Sequence, residues 1–186
     1  IDPHKTAPNP RVGCVIVSQD EIIATGVHER FGENHAERQA VEKLEKQRFT
    51  DWEKAEIFIT LEPCDNFVGK KTPSCTELLI EKKFKKIWIG VEDPHFGGRN
   101  IQKLKNAGLE TELLDDENGQ KLNPFFEHFM TKNRPFLSLK IVQSLDGKIT
   151  NEKKYITNSI SRQKVHQMRA KFSAILTTTE TVLKDN

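Results

Sequence analysis

Between residues 11 and 114, short β-rich apolar runs alternate with amphipathic stretches of helical spacing, and this alternation narrows the possible folds more than any other feature of the sequence. Residues 11–17 and 21–27 are two apolar runs joined by a polar turn, which predicts a β-hairpin. Residues 37–48 carry Ala40, Val41 and Leu44 at helical spacing among charges, the pattern of an amphipathic helix. Residues 55–61 read as a buried strand stopped by Glu62-Pro63, residues 76–84 as helix, 86–91 as strand, 99–107 as helix ending at Gly108, and 109–114 as a further strand. Residues 118–131 read as helix with Phe125, Phe126 and Phe129 as the apolar stripe. A hairpin followed by strands alternating with helices predicts an α/β fold, a three-layer α/β/α domain.

The helical pattern breaks at Arg134-Pro135, because the residue before a proline is biased away from helix. This divides the chain into domains at residues 1–132 and 133–186. The second begins with a well-alternating strand at 136–142, then the turn sequence Ser144-Leu145-Asp146-Gly147, a helix at 159–172 and a strand at 174–176. Two strands and one helix are too little to bury a core, so this segment is expected either to lean on the first domain or to be the incomplete front part of something longer.

Composition excludes several classes. The chain has 186 residues, 35% apolar and 30% charged, with a mean hydropathy of -0.61, yet its 11 Phe and its aliphatic clusters set it apart from a disordered chain. No apolar run approaches the roughly 18 residues of a membrane span, so no membrane partner is expected. The opening IDPHKTAPNP lacks the apolar segment of a secretory signal, and its first residue is not Met, so the natural start is expected to lie further upstream. The net charge is +2 with both signs interspersed, whereas a nucleic-acid binder shows a basic face. Three Cys make no disulfide framework and point to a reducing, cytoplasmic setting. Self-association is left open.

The residues that carry chemistry are His35-Ala36-Glu37 at a helix start, Pro63-Cys64 after a strand, and Pro73-Ser74-Cys75 before a helix. One imidazole and two thiolates suit one zinc ion per chain, with the fourth position open as a catalytic zinc requires. Residues i and i+2 of a helix face different ways, so His35 and Glu37 share a metal site only if His35 lies at the helix entry. Glu37 is then a proton carrier beside the metal. A helix N-terminus favours the Cys75 thiolate. Cys14, inside an apolar strand, reads as core. The alternative is a structural zinc stapling a binding module, but such sites use four protein ligands and the sequence offers three.

His35-Ala36-Glu37 with Pro63-Cys64 and a later Cys resembles the zinc-dependent cytidine deaminase superfamily, whose signature is H-x-E…P-C-x-x-C. Thr6-Ala7-Pro8-Asn9-Pro10-Arg11-Val12-Gly13, Thr60-Leu61-Glu62-Pro63-Cys64, Lys71-Thr72-Pro73-Ser74-Cys75, Glu92-Asp93-Pro94 and Gln143-Ser144-Leu145-Asp146-Gly147-Lys148 resemble one branch, the bifunctional deaminase–reductases of riboflavin biosynthesis. The resemblance covers nearly the whole chain. The sequence departs from it in a longer loop between the cysteines, opening Asp65-Asn66-Phe67-Val68, and in the stretch Asp93-Pro94-His95-Phe96.

The resemblance implies a cytidine deaminase-like domain followed by the start of a dihydrofolate-reductase-like domain. It implies hydrolytic deamination of 2,5-diamino-6-ribosylamino-4(3H)-pyrimidinone 5′-phosphate, a phosphorylated pyrimidine, with Glu37 shuttling the proton. Asn9, His28, Lys71 and Asp93 match positions near the base and the ribose phosphate. Each has a plainer reading: a turn residue between prolines for Asn9, a surface histidine for His28, a solvated loop lysine for Lys71, and a turn for Asp93-Pro94. Ser144, Asp146 and Thr157 match reductase substrate or cofactor positions, with Asp146-Gly147 readable also as a plain turn. NADPH is the cofactor implied for the reductase half; it is not expected to bind the chain as given, whose only Gly after Pro135 is Gly147. Deamination of another base, including one in tRNA, is the competing reaction.

Overall fold

The computed structural model describes residues 3–66, 72–115, 117–149 and 155–185. It divides into two compact units, Ile1–Phe136 and Leu137–Asn186.

The first unit is built on a five-stranded mixed sheet in the order β2-β1-β3-β4-β5. After a short helix α1 (Pro3–Thr6), β1 (Gly13–Ser18) and β2 (Glu21–Val27) form the expected hairpin. Its two-residue turn places Gln19 and Asp20 at φ 52° and 63°, the doubly positive geometry that follows the right-handed twist of paired strands. The chain then forms α2 (Ala36–Lys46), β3 (Glu56–Leu61) antiparallel to β1, α3 (Cys75–Lys82), β4 (Lys86–Val91) parallel to β3, α4 (Arg99–Asn106), and β5 (Thr111–Leu113) parallel to β4.

Register makes one face of the sheet the core. Ile16, Ile57 and Ile87 stand side by side across three strands, as do Cys14, Ile59 and Ile89. All six are buried, and Ala40, Val41 and Leu44 of α2, Leu79 of α3 and Leu104 of α4 join the same cluster. Each such aliphatic side chain contributes roughly 1.5–3 kcal/mol on burial, so this layer dominates the unit's stability. Cys14 is 2% exposed, a core thiol as expected. On the other face Phe58 and Trp88 stack at 5.6 Å and 4°, with Lys86 Nζ 3.8 Å from the Trp88 ring centroid.

One glycine fixes where the site will form. A Cβ on Gly26 would lie 1.9 Å from the Ala36 carbonyl oxygen and 2.9 Å from the Ala40 nitrogen. Only a residue without a side chain lets α2 begin directly on β2, and that contact sets the position of the residue just before α2, His35.

The structure departs from the sequence reading in several places. The single helix expected over 118–131 is two, α5 (Glu117–Leu122) and α6 (Pro124–Lys132), with Asn123 between them. Pro124 lacks an amide hydrogen and its ring would clash with the preceding turn, so it starts a helix rather than continuing one. Asn123 also turns its side chain elsewhere, accepting from the Arg11 amide at 2.8 Å and donating to the Arg11 carbonyl at 2.9 Å.

In the second unit, the strands expected at 136–142 and 174–176 are not formed among the described residues. The alternation is present, but Leu137 and Leu139 are 85% and 84% exposed, and no neighbouring strand completes a ladder for their amides. This unit instead shows α7 (Ser159–Arg169), capped by Asn158 accepting from Ser161 N, and the unanticipated α8 (Thr179–Asp185). The 144–147 turn forms as expected, with Gly147 at φ 80° donating to the Ser144 carbonyl.

Candidate metal centre and its cavity

Three element ends converge above the sheet. His35 is the N-cap of α2, with extended backbone at φ -71° and ψ 163° and no side-chain capping bond. Its imidazole makes no bond to the helix start. Cys64 follows β3, and Cys75 is the first residue of α3. The ligand atoms of His35, Cys64 and Cys75 all lie within 4.8 Å of one another, so the three could hold a metal ion. The Cys64 and Cys75 sulfurs lie 3.2 and 3.6 Å from His35 Nδ1. Thr72 Oγ1 lies 3.2 Å from Nε2, on the far side of the ring. A partner on one ring nitrogen fixes which nitrogen faces a metal. Ser74 caps α3 by accepting from Glu77 N at 3.0 Å, and the helix start it secures stabilises the adjacent Cys75 thiolate.

Glu37 lies in the first turn of α2 and is 3% exposed. Its Oε2 is buried with no hydrogen-bond partner. Burial raises the carboxyl pKa to about 7, and the charge of Cys64 pushes the same way. An orphaned buried carboxylate oxygen ordinarily costs about 1–3 kcal/mol. Two thiols, an imidazole and this carboxyl with one orphaned oxygen make a donor set that fits a zinc ion with a proton carrier beside it.

His35, Glu37 and Cys64 open into a cavity of about 370 Å³. Asn9, His28 and Asp93 line it with His35, Glu37 and Cys64, so the structure brings the expected residues together. His28 is buried, and that burial lowers its pKa. Nδ1 of the neutral ring donates to the Asn34 carbonyl at 3.2 Å, leaving Nε2 to accept from Asn9 Nδ2 at 3.1 Å. The surface reading of His28 is thus excluded. Lys71 lies outside the described residues. Ser144, Asp146 and Thr157 belong to the second unit. There the Ser144 hydroxyl donates to the Asp146 carboxylate, and the Thr157 carbonyl accepts from Arg162.

Sequence reasoning missed Glu62, which is 2% exposed. Its Oε2 accepts from Asp93 N at 3.1 Å and Gly98 N at 2.9 Å, and its Oε1 accepts from Asn100 N at 2.8 Å. One carboxylate therefore ties down both ends of the 93–98 loop, which carries Asp93, His95 and Phe96 into the cavity. The signal was an acidic residue closing a buried strand, since a charge placed there must find several donors. Phe126 and Met130 of α6, which also line the cavity, gave no such signal.

Asp93 is buried, and burial raises its pKa to about 6 against the opposing hydrogen bond from the His95 amide. Its ordinary value is 3.8, so the folded state holds the proton more tightly and Asp93 costs stability increasingly from about pH 4 to about pH 6. Asp93→Asn keeps the oxygen that accepts from His95 and removes this cost. The variant should melt at a higher temperature than the parent at pH 8 and gain nothing at pH 3.5. Equal melting points at pH 8 would contradict the assignment.

Residues 2–91 match the model of the cytidine and deoxycytidylate deaminase zinc-binding region, and residues 135–186 match that of the RibD C-terminal domain. The chain is 43% identical over 187 residues to the riboflavin biosynthesis protein RibD of Actinobacillus pleuropneumoniae, covering 97% of this chain and 48% of that protein. It is 36% identical to RibD of Aquifex aeolicus, with 97% and 51% covered. Among solved structures, a diaminohydroxyphosphoribosylaminopyrimidine deaminase/5-amino-6-(5-phosphoribosylamino)uracil reductase from Thermotoga maritima superposes with a TM-score of 0.84 at 42% identity, covering 97% of this chain and 52% of that one. Acinetobacter baumannii RibD superposes with a TM-score of 0.85 at 37% identity, covering 99% and 51%. The chain thus spans about half the length of the curated relatives it matches. Among the described residues, no helix is long and apolar enough to cross a membrane.

Proposed function

Because the chain belongs to the RibD family of riboflavin biosynthesis proteins, we propose that residues 1–132 form a zinc-dependent hydrolytic deaminase domain and residues 133–186 part of an NADPH-dependent reductase domain. The substrate of the first is 2,5-diamino-6-ribosylamino-4(3H)-pyrimidinone 5′-phosphate. One observation carries this reading: His35, Cys64 and Cys75 offer three ligand atoms within 4.8 Å of one another, and Glu37, with one buried oxygen that has no hydrogen-bond partner, lines a cavity together with His35 and Cys64. Among the described residues the cluster has three ligand side chains, the number of an open catalytic site rather than a closed structural one.

His35 Nδ1, Cys64 Sγ and Cys75 Sγ would hold the zinc. When bound, zinc supplies Lewis acidity that lowers the pKa of water toward neutrality. Glu37 takes a proton from the attacking water and delivers protons to the ring nitrogen and the departing amine. A C–O bond forms, the C–N bond to the amino group breaks, and ammonia leaves. The Glu37 pKa, raised to about 7 by burial, suits a group that both takes and gives a proton near neutrality. Asn9, His28 and Asp93 orient the pyrimidine and its ribosyl phosphate, and by family resemblance Lys71 shares in that role. Three cysteines that form no disulfide agree with a reducing, cytoplasmic setting.

The test is ammonia release from this substrate by zinc-loaded protein, followed with a coupled glutamate dehydrogenase assay. Fully loaded protein that releases none would sink the reading.

A further inference from the structure

Ten residues separate Cys64 from Cys75, and a loop of that length leaves the spacing of its two sulfurs undetermined unless something closes its mouth. Something does. Asp65, immediately after one cysteine, accepts at Oδ1 from the hydroxyl of Ser74, immediately before the other, at 2.9 Å. The same oxygen accepts from Asn66 N at 2.8 Å. Oδ2 accepts from Lys103 Nζ of α4 at 2.8 Å, and Lys103 also bonds Glu77 of α3. The Cys64 carbonyl is held in turn by Thr76 N at 3.0 Å and Thr76 Oγ1 at 3.1 Å. Ser74 is buried, and the Asp65 side chain is 19% exposed.

We propose that Asp65 is a positioning residue for the metal centre, bridging Ser74 and Lys103 so that Cys64 and Cys75 stand at ligating distance and release the metal slowly. The proposal rests on reading His35, Cys64 and Cys75 as a zinc site. Two thiolates brought together repel each other. A covalent spacing set by loop closure alone would let them separate whenever a metal–sulfur bond opened. The Asp65 bridge resists that separation at the loop mouth, and Lys103 anchors the bridge to a helix outside the loop.

The experiment uses purified zinc-loaded protein, with zinc content measured first and transfer to the chromogenic chelator 4-(2-pyridylazo)resorcinol followed in time. Asp65→Ala should release zinc roughly 10–100-fold faster, the usual scale for losing a partner behind the ligands. Lys103→Met should release it faster by a smaller factor, and should add little in the Asp65→Ala background because both act through one bridge. Metal-free Lys103→Met, altered only at a half-exposed surface position, should melt with the parent. Release at the parental rate from loaded Asp65→Ala or Lys103→Met overturns the proposal alone. A parent that binds no zinc overturns the zinc reading and the proposal with it.

Discussion

Glu37→Gln is expected to keep its zinc and lose about 10²–10⁴-fold in turnover, the range that general acid–base catalysis supplies. The substitution preserves volume and leaves one oxygen in place, so α2 still begins on Gly26 and His35 is still presented as its N-cap. It removes the ability to take a proton from water and return it to the pyrimidine. The buried Oε2 of Glu37 has no hydrogen-bond partner, so an amide nitrogen placed at that position breaks no hydrogen bond. Zinc analysis and ammonia release on the same preparation check the prediction. Near-parental turnover in a zinc-replete variant would remove Glu37 from the reaction.

Cys75→Ser is expected to reduce bound zinc well below one ion per chain and to abolish ammonia release. A serine hydroxyl does not ionise near neutrality as a thiol at a helix start does, and Cys75 is one of three side chains that could hold the metal, with no fourth among the described residues. The fold should persist. The core cluster of Ile16, Ile57, Ile87 and their neighbours does not include Cys64 or Cys75, and Ser74 still caps α3. Far-UV circular dichroism should match the parent, and the melting point should fall toward that of the chelated parent, because zinc stabilises only by binding the native state. Stoichiometric zinc in Cys75→Ser would show that Cys75 is not a ligand.

What the sequence disclosed follows from how each feature is encoded. Strands β1, β3 and β4 and helices α2 and α4 were legible because each repeats an apolar residue at its own period against one continuous face. The split between α5 and α6 was hidden by the Phe stripe, although Pro124 stood in the middle of it. The alternation over residues 136–142 looked like a strand, but pairing depends on a neighbour and not on the segment itself. His35, Glu37, Cys64 and Cys75 were legible because metal chemistry restricts residue type. Glu62, Thr72 and Asp65 were not, because each acts through partners that only folding brings near. The Asp65–Lys103 contact joins positions 38 apart in the chain.

The last strand ends at Leu113 and the matched deaminase region at residue 91, yet Phe126 and Met130 of the later helix α6 face the same chamber as Glu37. Arg11 stitches the start of that helix to the beginning of the chain through Asn123 and Leu122. A protein trimmed to its sheet would thus keep every reactive group and lose the apolar wall that closes them in. It would be a vessel with one side missing, open to bulk solvent and tolerant of the wrong guest. The proposed deaminase module is therefore expected to run through α6, to the point where the first compact unit ends at Phe136.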